Sequence, residues 1–111
     1  MYTNVIEKTA KQTLIDIIEG DVDDFRKASP NLKVEDAKAV ELGKAKSATV
    51  KYFSGDANGN FEAIAYIEEA KVVVLVVLSS RTRKDLDQSL SAFKELVGSY
   101  FFMSDKVVIE K

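Results

Sequence analysis

The stretch "SATVKYFSGDANGNFEAIAYIEE", residues 47–69, constrains the fold of this chain more than any other. Asn58-Gly59 lies between two segments in which apolar and polar residues alternate and β-branched and aromatic residues are frequent. Both residues tolerate the positive φ of a type I′ turn, and such a pair between alternating segments is the strongest short-range signal for a β-hairpin. Asp56, Asn58 and Asn60 also invite comparison with a calcium loop. An EF-hand loop needs glycine at its sixth position and a bidentate Glu at its twelfth. Counted from Asp56 these are Phe61 and Ile67, and both fail. The segment therefore predicts a turn, and no metal site is expected.

Strands are predicted over 46–54 and 61–68. With Asn58-Gly59 as the central pair, Phe53 faces Ile64, Tyr52 faces Ala65, Lys51 faces Tyr66 and Val50 faces Ile67. "KVVVLVVLSS" predicts a further strand over 71–79, placing Ile67 opposite Val72, Ala65 opposite Val74, and Glu68 near Lys71. One face then carries Val50, Tyr52, Phe61, Ala63, Ala65, Ile67, Val72, Val74, Val76 and Leu78. It is apolar throughout, and its two alanines leave room for a closely packed helix. The other face is mixed: Phe53, Ile64, Tyr66, Val73, Leu75 and Val77, edged by Lys51, Glu62 and Glu68. A slip of one residue at the second turn would exchange the sets on the third strand. Strands apolar on both faces should be covered on both. Either two helices take one face each, or both sit on the first and something else covers the second.

An amphipathic helix is predicted over 4–19, with Asn4 as cap, Glu7 as its reciprocal partner, and Ile6, Ala10, Leu14, Ile17 and Ile18 on one stripe. Gly20 weakens it. "GDVDDFRKASP" either extends it by a turn or two or forms a short second piece, with Val22 and Phe25 continuing the burial. Pro30 ends it. A second helix over 83–100 shows Leu86, Leu90, Phe93, Leu96, Val97 and Tyr100 on one stripe, with Thr82 and Asp85 as a capping box. Short strands are expected over 38–43 and within "SDKVVIEK". Repeats, linkers and low-complexity segments are absent, so residues 1–111 read as one domain. The expected fold is α+β: an antiparallel meander of four to five strands, an N-terminal helix, and a long C-terminal helix packed on the sheet.

The chain has no histidine and no cysteine. Catalytic triads, Cys-His pairs, typical zinc sites and disulfides are thereby excluded within it. The formal charge of −2 is spread over interspersed acids and bases, without the basic stripe of a nucleic-acid binder. The longest apolar run, Val72 to Leu78, is too short to cross a bilayer, and the N-terminus lacks a signal-like apolar core. A soluble chain is expected, cytoplasmic by default, with a domain excised from an exported protein as the alternative.

Three candidate sites stand beside plainer readings. The mixed sheet face, if bare, is an apolar patch with a charged rim, suited to a protein partner or a second copy through Phe53, Ile64, Tyr66 and Leu75. The plainer reading is that the N-terminal helix covers it. "SSRTRKD", residues 79–85, joins a strand to a helix start, where Ser80, Arg81, Thr82, Arg83 and Lys84 can hold an anion. It lacks the glycines of a phosphate loop, so a solvated basic loop is the plainer reading. Glu62 and Glu68 share a strand face, as a hydrolytic pair would. Nothing predicts a cleft between them, and Lys71 is a ready partner for Glu68. Tyr52, Tyr66, Phe93 and Tyr100 fit core positions better than a stacking platform.

Residues 38–103 resemble the PsbP-like superfamily, which includes a photosystem II extrinsic protein, bacterial lipoproteins and a Ran-binding import factor. The match runs through Leu42-Gly43 in "ELGKAKSATVKYF", Phe61 and Tyr66 in the hairpin, and Phe93, Val97, Ser99, Tyr100 and Phe102 at the end. That fold opens with two strands before its first helix, whereas the helix predicted here comes first. The resemblance implies a non-enzymatic binding or accessory role and transfers no site residue. The expected function is a non-catalytic interaction or accessory domain, self-associating or binding a protein, without cofactor. A small-ligand or anion-binding module using the 79–85 loop is the alternative. An enzyme ranks third, since only carboxylates, Lys and Tyr remain for chemistry.

Overall fold

A computed structural model describes residues 1–9, 11–42, 46–56, 58–103 and 106–109. The element order is β1 (Tyr2–Glu7), α1 (Leu14–Ala28), β2 (Lys33–Asp36), β3 (Val40–Leu42), β4 (Lys46–Ser54), β5 (Phe61–Glu68), β6 (Val72–Ser80), α2 (Arg83–Gly98), β7 (Tyr100–Met103) and β8 (Lys106–Ile109). Six strands form one antiparallel sheet in the order β1-β6-β5-β4-β2, with β3 also paired to β4. β7 and β8 form a separate hairpin. The architecture is α+β, with an N-terminal and a C-terminal helix around an antiparallel sheet.

The central hairpin forms, in a different register. Asp56 O accepts the Gly59 N–H at 3.1 Å, so the turn closes one residue earlier than a turn centred on Asn58-Gly59. The Asp56 carboxylate accepts the N–H groups of Asn58 (2.9 Å) and Asn60 (2.7 Å), tying the loop to one side chain. Val50 therefore faces Ala65 rather than Ile67. The second turn shifts likewise, and Ile67 faces Val74 rather than Val72. Both shifts are of two residues. Side chains alternate with period two, so a two-residue shift leaves every one on its expected face.

The two faces are the two cores. Ala48, Val50, Ala63, Ala65, Ile67, Val74, Val76 and Leu78 pack with Leu86, Phe93 and Val97 of α2. Phe53, Ile64, Tyr66, Val73, Leu75 and Val77 pack with Ile17, Ile18 and Val22 of α1. Each large side chain so buried contributes about 1.5–3 kcal/mol. The helices take one face each.

The N-terminus departs from expectation. Residues 2–7 are a strand paired with β6, and the helix starts at Leu14. Thr13 caps it: its hydroxyl accepts the Asp16 N–H (3.2 Å), and the Asp16 carboxylate accepts the Thr13 N–H (3.0 Å). Asn4 and Glu7 share the spacing of a capping box without forming one. Tyr2, Thr3, Val5 and Ile6 are strand formers, and β6 needs a neighbour on its second edge. α1 continues through Gly20 to Ala28. Ala10 of the predicted stripe and Gly43 of the PsbP-like match lie outside the described residues. The strand expected in "SDKVVIEK" is β8; β2 and β7 are strands the sequence does not predict, and Tyr100, expected on the stripe of the second helix, instead opens β7 after α2 ends at Gly98.

Candidate functional site

Phe53, Ile64, Tyr66 and Leu75 do not lie on a bare face. They are 2%, 1%, 0% and 3% exposed beneath α1. Phe25 of α1 stacks on Phe53 with ring centroids 5.2 Å apart. The Tyr66 hydroxyl donates to Asp21 Oδ2 at 2.7 Å, locking the helix to the sheet. A partner would reach these four side chains only by displacing α1. They belong to the core and not to an exposed interaction surface.

The basic loop does not converge on a ligand. The Thr82 hydroxyl accepts the Asp85 N–H (3.0 Å) and Thr82 O accepts the Leu86 N–H (3.1 Å), so its oxygens serve the cap of α2. The Arg83 guanidinium bonds Asp87 at 3.2 Å and lies 5.7 Å from the centre of the Tyr52 ring. It is thereby drawn along the helix rather than over its N-terminus. Arg81 and Lys84 are exposed, while Ser80 is the half-buried last residue of β6.

The carboxylates regroup as well. Glu68 pairs with Lys8 at 3.0 Å, not with Lys71, and Lys8 also donates to Glu69 O at 2.9 Å. Glu62 and Glu68 share the α1 face of β5, but Glu62 lies near Asp21 while Glu68 is tied to Lys8. Burial pushes the Glu62 carboxyl above its ordinary range; a bond from Ser79 opposes this, and Asp56 and Asp21 reinforce it. Burial likewise raises Asp21, against the pull of the Tyr66 hydrogen bond, and nearby Asp24 adds to the rise. Tyr66 itself is pushed up, by burial first and then by Asp21, so its hydroxyl stays protonated and donates. Burial and the charges of Glu62 and Asp21 also raise Tyr2. These groups form a polar seam between α1 and the sheet. A groove of about 290 Å³ lies elsewhere, lined by Ile18, Val22 and Val34 with Glu19, Asp23, Arg26 and Lys51. Its charges are of both signs, and Lys51 is already paired with Asp36.

The β1 edge is a surface of another kind. Among the described residues, β1 pairs with β6 on one side and forms the outer edge of the sheet on the other. Lys8 N–H donates to Lys71 O at 2.8 Å in continuation of that pairing. Antiparallel bonding alternates, so Tyr2, Asn4 and Ile6 bond inward while the backbone N–H and C=O of Thr3, Val5 and Glu7 point outward. The outward Val5 N–H donates to the Asn4 side-chain oxygen at 2.9 Å. Among the described residues the exposed large apolar side chains are Met1, Tyr2, Val5 and Ile15, three of them on or beside this strand.

No protein-family model, curated protein or solved structure matches the chain.

The opposite edge is divided between two short strands, β2 and β3, paired to different parts of β4. β2 is four residues long and reads Lys-Val-Glu-Asp. Short, charged edge strands repel further strands. β1 is six residues long, has no proline, and carries its one charge at its end, in Glu7. Helix periodicity hid this edge in the sequence; the signal that finds it is the cluster of strand formers Tyr2, Thr3, Val5 and Ile6. Among the described residues, no helix is long and apolar enough to cross a membrane.

Proposed function

We propose that the chain is a non-catalytic protein-interaction domain that takes an extended segment as a further strand on β1. The observation that carries this reading is the contrast between the edges. One is split between two short strands that each carry charge; the other is a single longer strand, nearly uncharged, and bears exposed apolar side chains. Strand addition derives affinity from main-chain hydrogen bonds and selectivity from alternate side chains. The PsbP-like resemblance of residues 38–103 implies the same class of role.

Selection from a library of displayed random peptides tests the reading. Expected are peptides with alternating apolar residues whose binding is lost in Thr3→Pro, which deletes an outward N–H and leaves the bonds to β6 in place. Peptides that bind Thr3→Pro as well as the unaltered chain would overturn it.

A further inference from the structure

The edge is complementary to itself. We infer that the added strand is β1 of a second copy, antiparallel about a two-fold axis through Asn4; the inference rests on the reading of β1 as the interaction edge. Two copies sharing an edge about such an axis present the same patch to each other, so each contact occurs twice. Only Thr3, Val5 and Glu7 within β1 offer outward hydrogen-bonding groups, so odd residues must meet odd residues. Centred on Asn4, the strands set Thr3 against the partner's Val5, and reciprocal N–H to C=O bonds form at both such pairs. The Val5 N–H exchanges its exposed Asn4 acceptor for the partner's Thr3 carbonyl.

Side-chain chemistry selects this register. It sets Tyr2 against the partner's Ile6 on the α1 side, and Thr3 against Val5 on the α2 side. These are aromatic–β-branched and β-branched pairs, which stabilise antiparallel strands. A register centred on Val5 sets Asn4 against Ile6, Thr3 against Glu7, and Tyr2 against a Lys8 already engaged with Glu68. Charge favours the antiparallel sense. The single charged residue of the strand, Glu7, falls opposite Met1 of the partner, whereas in-register parallel pairing would place the two Glu7 carboxylates side by side. Exposed Met1, Tyr2 and Val5 are then sheltered together.

The register has a covalent signature. With Thr3 and Val5 in hydrogen-bonded pairs, Asn4 faces its own copy in a non-hydrogen-bonded pair, where Cα atoms lie about 4.5 Å apart. That is within disulfide reach. The chain has no cysteine, so Asn4→Cys introduces the sole thiol. Under mild oxidation Asn4→Cys is expected to form covalent dimer faster than Val5→Cys or the exposed α2 control Ser91→Cys. Sedimentation from micromolar to millimolar concentration is expected to show a monomer–dimer equilibrium. Thr3→Pro, counted twice by symmetry, weakens it about tenfold or more. Val5→Lys does the same without altering the backbone, and both variants keep the unaltered circular dichroism spectrum. A monomer at millimolar concentration, with Asn4→Cys crosslinking no faster than Ser91→Cys, overturns the inference, as does a dimer indifferent to both edge variants. If that monomer still binds selected peptides in a Thr3→Pro-sensitive way, only the second copy is lost. If peptide binding is insensitive as well, the edge reading falls with it.

Discussion

At position 66 a phenol ring fills the core beneath α1 while its hydroxyl reaches a carboxylate on that helix. Tyr66→Phe keeps the ring and strips Asp21 of its donor, which should cost about 1–3 kcal/mol in chemical denaturation. In an Asp21→Ala background the cost should nearly vanish, because the two residues act as one unit. The same seam sets a pH dependence. Burial raises the carboxyls of Asp21 and Glu62 in the folded state. The folded chain then holds protons that the unfolded chain has released, so the stability these groups contribute is complete below the unfolded carboxylate range and is lost as pH rises through the raised values. Relative to the Asp21→Asn, Glu62→Gln variant, the unaltered chain should lose urea resistance as pH rises above the unfolded carboxylate range, about pH 4. Parallel pH profiles would contradict this assignment. Periodicity placed Tyr66 among apolar neighbours, but its acceptor lies 45 residues away, beyond what spacing reports. The sequence likewise offered Lys71 to Glu68, and Lys8 took the position because β1 brings it there.

At the level of elements, hairpin pattern and hairpin register separate. Asn58-Gly59 announced a turn, and the bounds expected for β4 and β5, 46–54 and 61–68, are those observed. The loop is longer than two residues because Gly55 at φ 77° and the Asp56 carboxylate add a bend of their own. Gly55 also passes so close to the loop after α1 that a Cβ would stand 2.8 Å from Asn31 O, whereas at Gly59, with φ 73°, the space is open. Both positions should resist alanine by about 1–2 kcal/mol for the left-handed backbone. Gly55→Ala should cost clearly more than Gly59→Ala in the same denaturation assay, since a backbone oxygen cannot step aside. Equal costs would mean that the loop does not abut residue 31. At the N-terminus two segments, Asn4 to Glu7 and Thr13 to Asp16, both show cap spacing. Local pattern does not choose between them. Pairing with β6 does, because it satisfies the backbone groups of that strand's second edge.

On the scale of the whole molecule, strands apolar on both faces demanded two covers, and α1 and α2 supply them. That much was legible, since face membership depends only on parity and survived both register shifts. The candidate surface was not. The pattern of the mixed face is consistent with exposure, yet it is covered by a helix that starts ten residues beyond the position periodicity indicates. The free surface is instead the last strand of the sheet, and which strand is last is a property of topology. Amide exchange resolved along β1, compared in dilute and concentrated solution, reports whether that edge is shared between copies. Expected is slow exchange at Asn4 and Ile6 under both conditions, with Thr3 and Glu7 fast when dilute and protected when concentrated. Thr3 and Glu7 amides that exchange equally fast at both concentrations would contradict that sharing.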